Sequence, residues 1–543
     1  MYNLNMGKKW LLIIIAIALF LRIFKISSNS LYGDELTIVY DAYSLLKTGY
    51  DSTGKSFPIT FEMGAGRPGG YVYGSIPFVA LFGPSALGVR GLSILSGIGI
   101  VLLLYLLGKK LFSERVGIMA SLIIAVSPWD ISLSRAGFEA HFALFLALLG
   151  VVLFIFSKDN KKLLIPWAIS WGLAIHTYPT YKLTLPLLFL GLVWYSGGIR
   201  KIANKYFYLG FLVLVLFSSL ALWETFFGIS EQRFLSINIF NQEDIRQALI
   251  QKINYERTIT ELPSGPATLF HNKPVEYISM IKNSYLSNFS AEYLFIKGDE
   301  NPRHNPSEMG VLYLIELPLI FLGLFILWQK NNKLLGFLLL WLSIVPLATS
   351  LLGDQHSLRN AFMLPLLALL SAIGLDHLFE VKQRKKYLLL TLLFVIWFAQ
   401  FIFFFERTYF LAPNKFAAFW SYPAKKASEI AIIEKDNYDY VFLSDRIDNI
   451  EFAYSVYARL DPKLVIDQNL EKTNFGGYSF RRFDNVYIGS LPQREIQPFI
   501  ENLNESTLFI GNFEEGNFLD NYQKINYRDQ TEMLVLKGLE RSE

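Results

Sequence analysis

The sequence predicts an α-helical polytopic membrane protein with about eleven transmembrane helices and a separate C-terminal α/β domain. Three observations carry this. Of the 543 residues, 52% are hydrophobic and 16% aromatic, and the mean hydropathy of +0.34 is too high for an ordinary soluble enzyme. Apolar stretches of membrane length recur up to about residue 405, separated by short loops. Beyond that point strand-like and helix-like runs alternate.

In chain order the apolar stretches fall near residues 10–24, 86–107, 116–133, 138–157, 163–177, 182–196, 206–224, 311–329, 334–352, 360–379 and 387–405. The opening "MYNLNMGKKWLLIIIAIALFLRIF" has the lysines and apolar core of a signal peptide. It lacks a small-residue cleavage site and precedes many further spans, so a retained first helix is expected. The C-terminal runs "YDYVFLS", "FDNVYIGS", "STLFIGNF" and "TEMLVLKG" read as strands, and "AAFWSYPAKKASEIAIIEK", "NIEFAYSVYARL" and "QREIQPFIENL" as helices. The expected division is 1–405 for the membrane domain and 406–543 for the α/β domain.

Charge sets the expected orientation. Basic clusters occupy every second connection: Lys8 and Lys9; Lys109, Lys110 and Arg115; Lys158, Lys161 and Lys162; Arg200, Lys201 and Lys205; Lys330 and Lys333; Lys382 to Lys386. The positive-inside rule puts these in the cytoplasm. The loops 25–85 and 225–310, the turns "PWDISLSRAGFEAH", "HTYPTYK" and "GDQHSLR", and the C-terminal domain are then extracytoplasmic. A multi-pass protein of the plasma (inner) membrane of a prokaryote is expected.

The net charge of +4 is small and its cations are scattered, so nucleic acid is not the implied partner. The absence of cysteine excludes disulfides, thiolate metal sites and a thiol nucleophile. No phosphate-binding glycine loop occurs in the short basic connections. Chemistry on the outer face therefore needs a lipid-borne activated substrate.

The candidate chemistry begins with Asp34 and Glu35. One reading makes Asp34 a helix cap, since Leu36, Val39, Tyr40, Tyr43 and Leu46 recur at helical spacing behind it. The other makes the pair catalytic, because the same loop carries Arg67 before a proline and an aromatic stretch too short to span, suited to the membrane surface. Around Arg135, the residues Glu139 and His141 open a long apolar helix, where ionisable groups are costly and point to a site. Tyr178, Tyr181 and Lys182 read as an aromatic belt with a snorkelling lysine.

In order, "GDE" at 33–35, "GRPGGYVYG", "SPWDISLSRAGFEAHFALFLALLG", "LFIKGDENPRHNPSEMGVLYLIELPLIFLGL" and "GDQHSLRNAFMLPLLALLSAIGL" resemble the GT-C glycosyltransferases that use polyprenyl-phosphate sugars. The closest branch is that of the protein mannosyltransferases and aminoarabinose transferases. The likeness runs over roughly residues 10–380, with Arg67-Pro68 where the family's commoner form is Lys-Pro-Pro and Glu139 where an Asp is usual.

The resemblance implies transfer of a sugar from a polyprenyl-phosphate donor to an external acceptor, by inverting displacement. Asp34 would be the base, and Glu35 would orient it or the acceptor, or help bind a metal. Arg67, Arg303, His304 and Arg359 would hold the donor phosphate, since a guanidinium fork bonds two oxygens at once. Arg135, Glu139 and His356, the last beside Asp354, are substrate-site candidates.

A divalent cation (Mg, Mn or Zn) is left open, as no recognised ligand spacing occurs. So are the sugar, and the acceptor, which could be protein, lipid or polysaccharide. A lipid or glycan transporter or flippase is the alternative, disfavoured by the lack of a repeat and by polar residues gathered at one face. A glycan polymerase or ligase is another, and it would not call for the Asp-Glu opening.

Overall fold

The structure, a computed structural model, describes residues 4–62, 66–228, 239–353, 355–380 and 385–540. Asp354 therefore lies outside the described residues, as do Lys382 and Arg384 of the last basic cluster. The chain forms two compact units. The first takes Met1–Phe24, Glu62–Gly70 and Ser93–Phe405, and the second Lys25–Phe61, Tyr71–Leu92 and Glu406–Glu543.

Among the described residues, six helices are long and apolar enough to cross a membrane: Ala86–Leu111, Glu139–Phe156, Lys205–Phe227, Asn332–Ser350, Ser357–Glu380 and Tyr387–Lys415. The chain is a multi-pass membrane protein. The stretch expected over 116–133 is broken into Glu114–Ala125 and Pro128–Ser134, bent by 58°, and counts as a seventh span if the two are taken together. Pro128 explains the break, since it stands at the first turn of the second piece and has no N–H to continue the first.

The count of about eleven is not reached by length and composition. The stretches at 163–177, 182–196 and 311–329 fold as Leu164–Ile175, Tyr181–Tyr195 and Glu316–Lys330, helices of 12, 15 and 15 residues, short of the roughly 20 that a straight crossing takes. The first helix, Leu4–Ile23, has 20 residues and carries Lys8, Lys9 and Arg22.

In the first unit helices approach closely where side chains are absent. A Cβ on Gly323 would strike the carbonyl of Leu370, and one on Gly374 the carbonyl of Leu319. Small residues at both crossings let Glu316–Lys330 lie directly against Leu364–Glu380, as packing in lipid favours. The long expected loop folds, where described, into the helices Glu243–Ile259, Ser264–Phe270 and Lys273–Ser287.

The second unit holds a seven-stranded sheet: β1 Tyr440–Ser444, β2 Thr473–Phe475, β3 Tyr478–Phe483, β4 Val486–Gly489, β5 Thr507–Asn512, β6 Gln523–Asn526 and β7 Glu532–Leu539. Their order is β2-β3-β4-β1-β5-β7-β6. β1 runs parallel to both neighbours, with Val441 opposite Val486 and Tyr440 opposite Thr507. The α/β character expected after residue 405 is present. Its core packs Phe442, Phe480, Tyr487, Ile496, Phe509 and Val535. The helix Gly33–Thr48 belongs to this unit and packs on Ile450–Tyr457 and Pro462–Leu470, with the Tyr40 hydroxyl donating to the carbonyl of Leu460 at 3.1 Å.

Candidate active site

The carboxylate pair opens the helix Gly33–Thr48. The residue before the helix is Tyr32, in extended conformation and making no side-chain cap bond. Asp34 sits one residue inside the helix start, so it is not the capping residue, although an acid in the first turn still suits the helix dipole. Gly33 is required by a close approach: a Cβ there would collide with the Asn449 amide oxygen.

The two acids have separate environments. Asp34 is exposed, whereas Glu35 is fully buried. The Arg90 guanidinium donates from Nε to Glu35 Oε1 and from Nη2 to Oε2, both at 2.6 Å. Its remaining N–H groups reach the carbonyls of Ile26 (2.5 Å), Ser30 (2.8 Å) and Asn29 (3.2 Å), and the ring of Trp420 lies 5.5 Å from the guanidinium carbon. Glu35 thus ties the loop before the helix to Arg90. Both of its oxygens are held in that fork, so the arrangement differs from the expected acceptor- or metal-binding role.

In the first unit, Arg67 Nε and Glu139 Oε1 form an ion pair at 2.8 Å, with Arg67 buried and Glu139 half-buried. Phe138, next to Glu139, stacks edge-on against His304 with ring centroids 5.4 Å apart. His304 lies 4.7 Å from the ring of His356. Asp299 joins them: its Oδ2 accepts from His304 Nδ1 (3.1 Å) and from the amide of Ser357 (2.6 Å), while Oδ1 accepts from the amide of Asn301 (2.8 Å). The structure therefore brings together Arg67, Glu139, His304 and His356 from four separate stretches.

The electrostatics of this cluster follow from burial and proximity. Burial, the nearby His304 and the Arg359 charge push the His356 imidazole down to about 3, so it is neutral at ordinary pH. Burial alone would raise the Asp299 carboxyl, but the His304 hydrogen bond and the Ser357 amide hold it below the usual carboxylate range. Arg303 and Arg359 are half-buried beside these groups in sequence, and the Arg303 amide donates to the Asn301 side chain at 3.0 Å.

Arg135 is placed differently from expectation. Its Nη1 donates to the carbonyls of Phe24 (2.6 Å), Arg22 (3.2 Å) and Leu21 (3.3 Å), satisfying acceptors that the C-terminus of the first helix leaves open. His141 turns inward: its Nε2 meets Asp130 Oδ1 at 3.0 Å, and Asp130 is also paired with Arg22, all three fully buried. Sequence reading missed Arg90, Asp130 and Asp299. The first two carried a signal, an ionisable residue inside an apolar stretch, whereas Asp299 looked like an ordinary turn residue in "GDEN".

Among the described residues, two groups could hold a metal ion. Asp299, His304 and His356 each bring a ligand atom to within 4.8 Å of the others, and His356 Nδ1 is buried with no hydrogen-bond partner. A carboxylate with two imidazoles suits Zn or a similar transition ion. Glu256, His271 and Glu276 form the second group. There the Lys252 ammonium already sits 2.6 Å from Glu276 and 3.8 Å from Glu256, so a cation is already supplied and the fit is poorer.

Comparison with known proteins agrees with this architecture. Residues 75–223 match the family model of the dolichyl-phosphate-mannose-protein mannosyltransferases. No curated protein matches this sequence. ArnT from Cupriavidus metallidurans in the apo state is similar over 97% of this chain and 98% of its own, at 11% identity and a TM-score of 0.53. The same protein bound to undecaprenyl phosphate gives 12% identity with the same coverage and score. The oligosaccharyltransferase of Archaeoglobus fulgidus, in complex with Zn and sulfate, is similar over 83% of this chain at 14% identity and a TM-score of 0.50, and the chain spans 61% of that protein's length. The chain therefore shares the fold of these structures, and its residues 75–223 carry the signature of the mannosyltransferase family.

Proposed function

We propose that the protein transfers a sugar from a polyprenyl-phosphate donor to a hydroxyl acceptor on the extracytoplasmic face of a prokaryotic plasma membrane, with inversion. The observation that carries the reading is the division of labour in the Asp-Glu pair. Glu35 is locked to Arg90, and Asp34 stands exposed on the first turn of a helix that this lock fixes.

In the reaction the acceptor oxygen attacks the anomeric carbon and the bond from that carbon to the phosphate oxygen breaks. Asp34 takes the acceptor proton, and polyprenyl phosphate leaves. Arg67, Arg303, His304 and Arg359 supply cationic or hydrogen-bonding groups to the phosphate, where charge grows as the bond breaks. Glu35 positions Asp34, and Glu139 holds Arg67. A divalent ion, Zn rather than Mg by its ligand types, would be held by Asp299, His304 and His356 and would help neutralise the leaving phosphate. Residues 406–543 serve acceptor recognition.

Support comes also from a similar structure: ArnT from Cupriavidus metallidurans has been solved bound to undecaprenyl phosphate. The experiment offers purified protein a panel of polyprenyl-phosphate sugars with acceptors and scores release of polyprenyl phosphate. Wild type should release it, and Asp34→Asn should fall by about 10²–10⁴-fold while keeping donor binding. Equal release by both proteins would remove Asp34 as the base.

A further inference from the structure

A cavity of about 900 Å³ lies in the first unit, at the end that carries Lys109, Lys110 and Lys333. It is bounded by the first helix, the turn between Ala86–Leu111 and Glu114–Ala125, and the ends of Glu316–Lys330 and Leu364–Glu380. Trp10, Leu111, Ile326 and Phe379 give it apolar walls, and Trp10 and Phe379 are exposed at its margin. The volume is in the range of small-ligand sites.

Its charges are arranged in two patches. Arg115 is paired with Asp376 and, at 2.8 Å, with Glu380, so one cation faces two carboxylates and that wall keeps an excess negative charge. Glu114 is balanced by Lys109 at 3.3 Å. Lys330 lines the cavity with no ion pair among the described residues, and His377 presents a buried Nδ1 that has no hydrogen-bond partner. A phosphodiester accepts hydrogen bonds from an ammonium and an imidazole N–H. A primary amine donates three to carboxylates.

We propose that this cavity is a phospholipid site for a headgroup bearing both a phosphate and a primary amine, such as phosphatidylethanolamine. The phosphate lies toward Lys330 and His377, the amine toward Asp376 and Glu380, and the glycerol and first methylenes lie along the apolar walls. Charged pockets between membrane helices are where headgroups are held, and here apolar margins continue the pocket toward the lipid flank. Bound there, the lipid bridges four helical segments at the end of the unit.

Native mass spectrometry of the delipidated full-length protein tests this. The probes are phosphatidylethanolamine, phosphatidylcholine and phosphatidylglycerol with the same acyl chains, and inorganic phosphate. Phosphatidylethanolamine should be retained about tenfold over the other two; Glu380→Gln should remove most of that preference, and Lys330→Gln should lower retention of all three lipids. Met119→Trp, which fills the cavity from a lining position, should abolish retention. Lys330 is exposed, so its variant should keep wild-type release of polyprenyl phosphate and thereby report an intact fold. Equal retention of all three lipids would overturn the headgroup assignment. Displacement of the bound lipid by millimolar inorganic phosphate would reduce the site to a small-anion site and overturn the proposal.

Discussion

Glu35 in the second unit and Asp299 in the first are both carboxylates held by nitrogen donors away from water, yet they are finished differently. Around Glu35 every group closes on another: both oxygens take the Arg90 fork, and the rest of the guanidinium goes to three carbonyls. Around Asp299 the bonding stops short, because His356 keeps a buried nitrogen with no hydrogen-bond partner and an imidazole held neutral. A closed ionic network leaves nothing for a ligand and serves architecture. An open one costs stability until something enters it.

The largest effect should come from breaking the closed network. Glu35→Gln leaves the Arg90 charge buried and unmatched, which should cost about 3–5 kcal/mol in chemical unfolding of the detergent-solubilised protein. Activity would be lost with the fold. A loss under about 1 kcal/mol would mean that water reaches Arg90 and the network is open after all.

The open network should respond to metal. In protein treated with a chelator, Zn added at a hundredfold over its dissociation constant should stabilise by about 2.7 kcal/mol, and His356→Ala should remove that gain. His271→Ala in the Glu256–His271–Glu276 group should not, since Lys252 already neutralises those acids. Equal loss in both variants would erase the distinction between the two groups.

A smaller effect is expected with pH in the metal-free protein. His356 titrates at about 3 when folded against an ordinary 6.5, so the unfolded chain takes up the proton first. Its contribution is complete above 6.5 and is lost as pH falls toward 3, with a slope of at most about 1.4 kcal/mol per pH unit. Asp299, held low, adds loss in the same direction below its ordinary range. His356→Gln should flatten the slope between pH 6.5 and 4, whereas bound Zn should not, since it too keeps the folded imidazole unprotonated. An unchanged slope in the variant would assign the acid sensitivity elsewhere.

Sequence pattern made the long apolar helices and the central strands of the α/β fold legible, because each is an unbroken run with one period. It gave more spans than helix length alone supports, where runs such as 163–177 are apolar but only three turns long. It missed β2, β3 and β6, since "TNF" is too short and "YSFRRF" and "QKIN" carry too few apolar residues to show alternation. The site was partly legible. Asp34, Arg67, Glu139 and His304 stood out by residue type, but which partner each takes is a tertiary fact: Arg90 lies 55 positions beyond Glu35, and Asp299 reaches Ser357 across 58.

The smallest effect on stability falls on the other half of the same dipeptide. Asp34 is exposed and is not the capping residue, so Asp34→Asn removes a first-turn charge whose interaction with the helix dipole is worth about 0.3–1 kcal/mol. The two variants should therefore differ by several-fold in lost unfolding free energy, with Asp34→Asn folded and inactive where Glu35→Gln loses activity only with the fold. Unfolding curves of the two variants, read beside donor binding, separate a base from a brace. If Asp34→Asn proved as destabilised as Glu35→Gln, the division of labour between the two carboxylates would be lost, and with it the reason to assign the proton to Asp34.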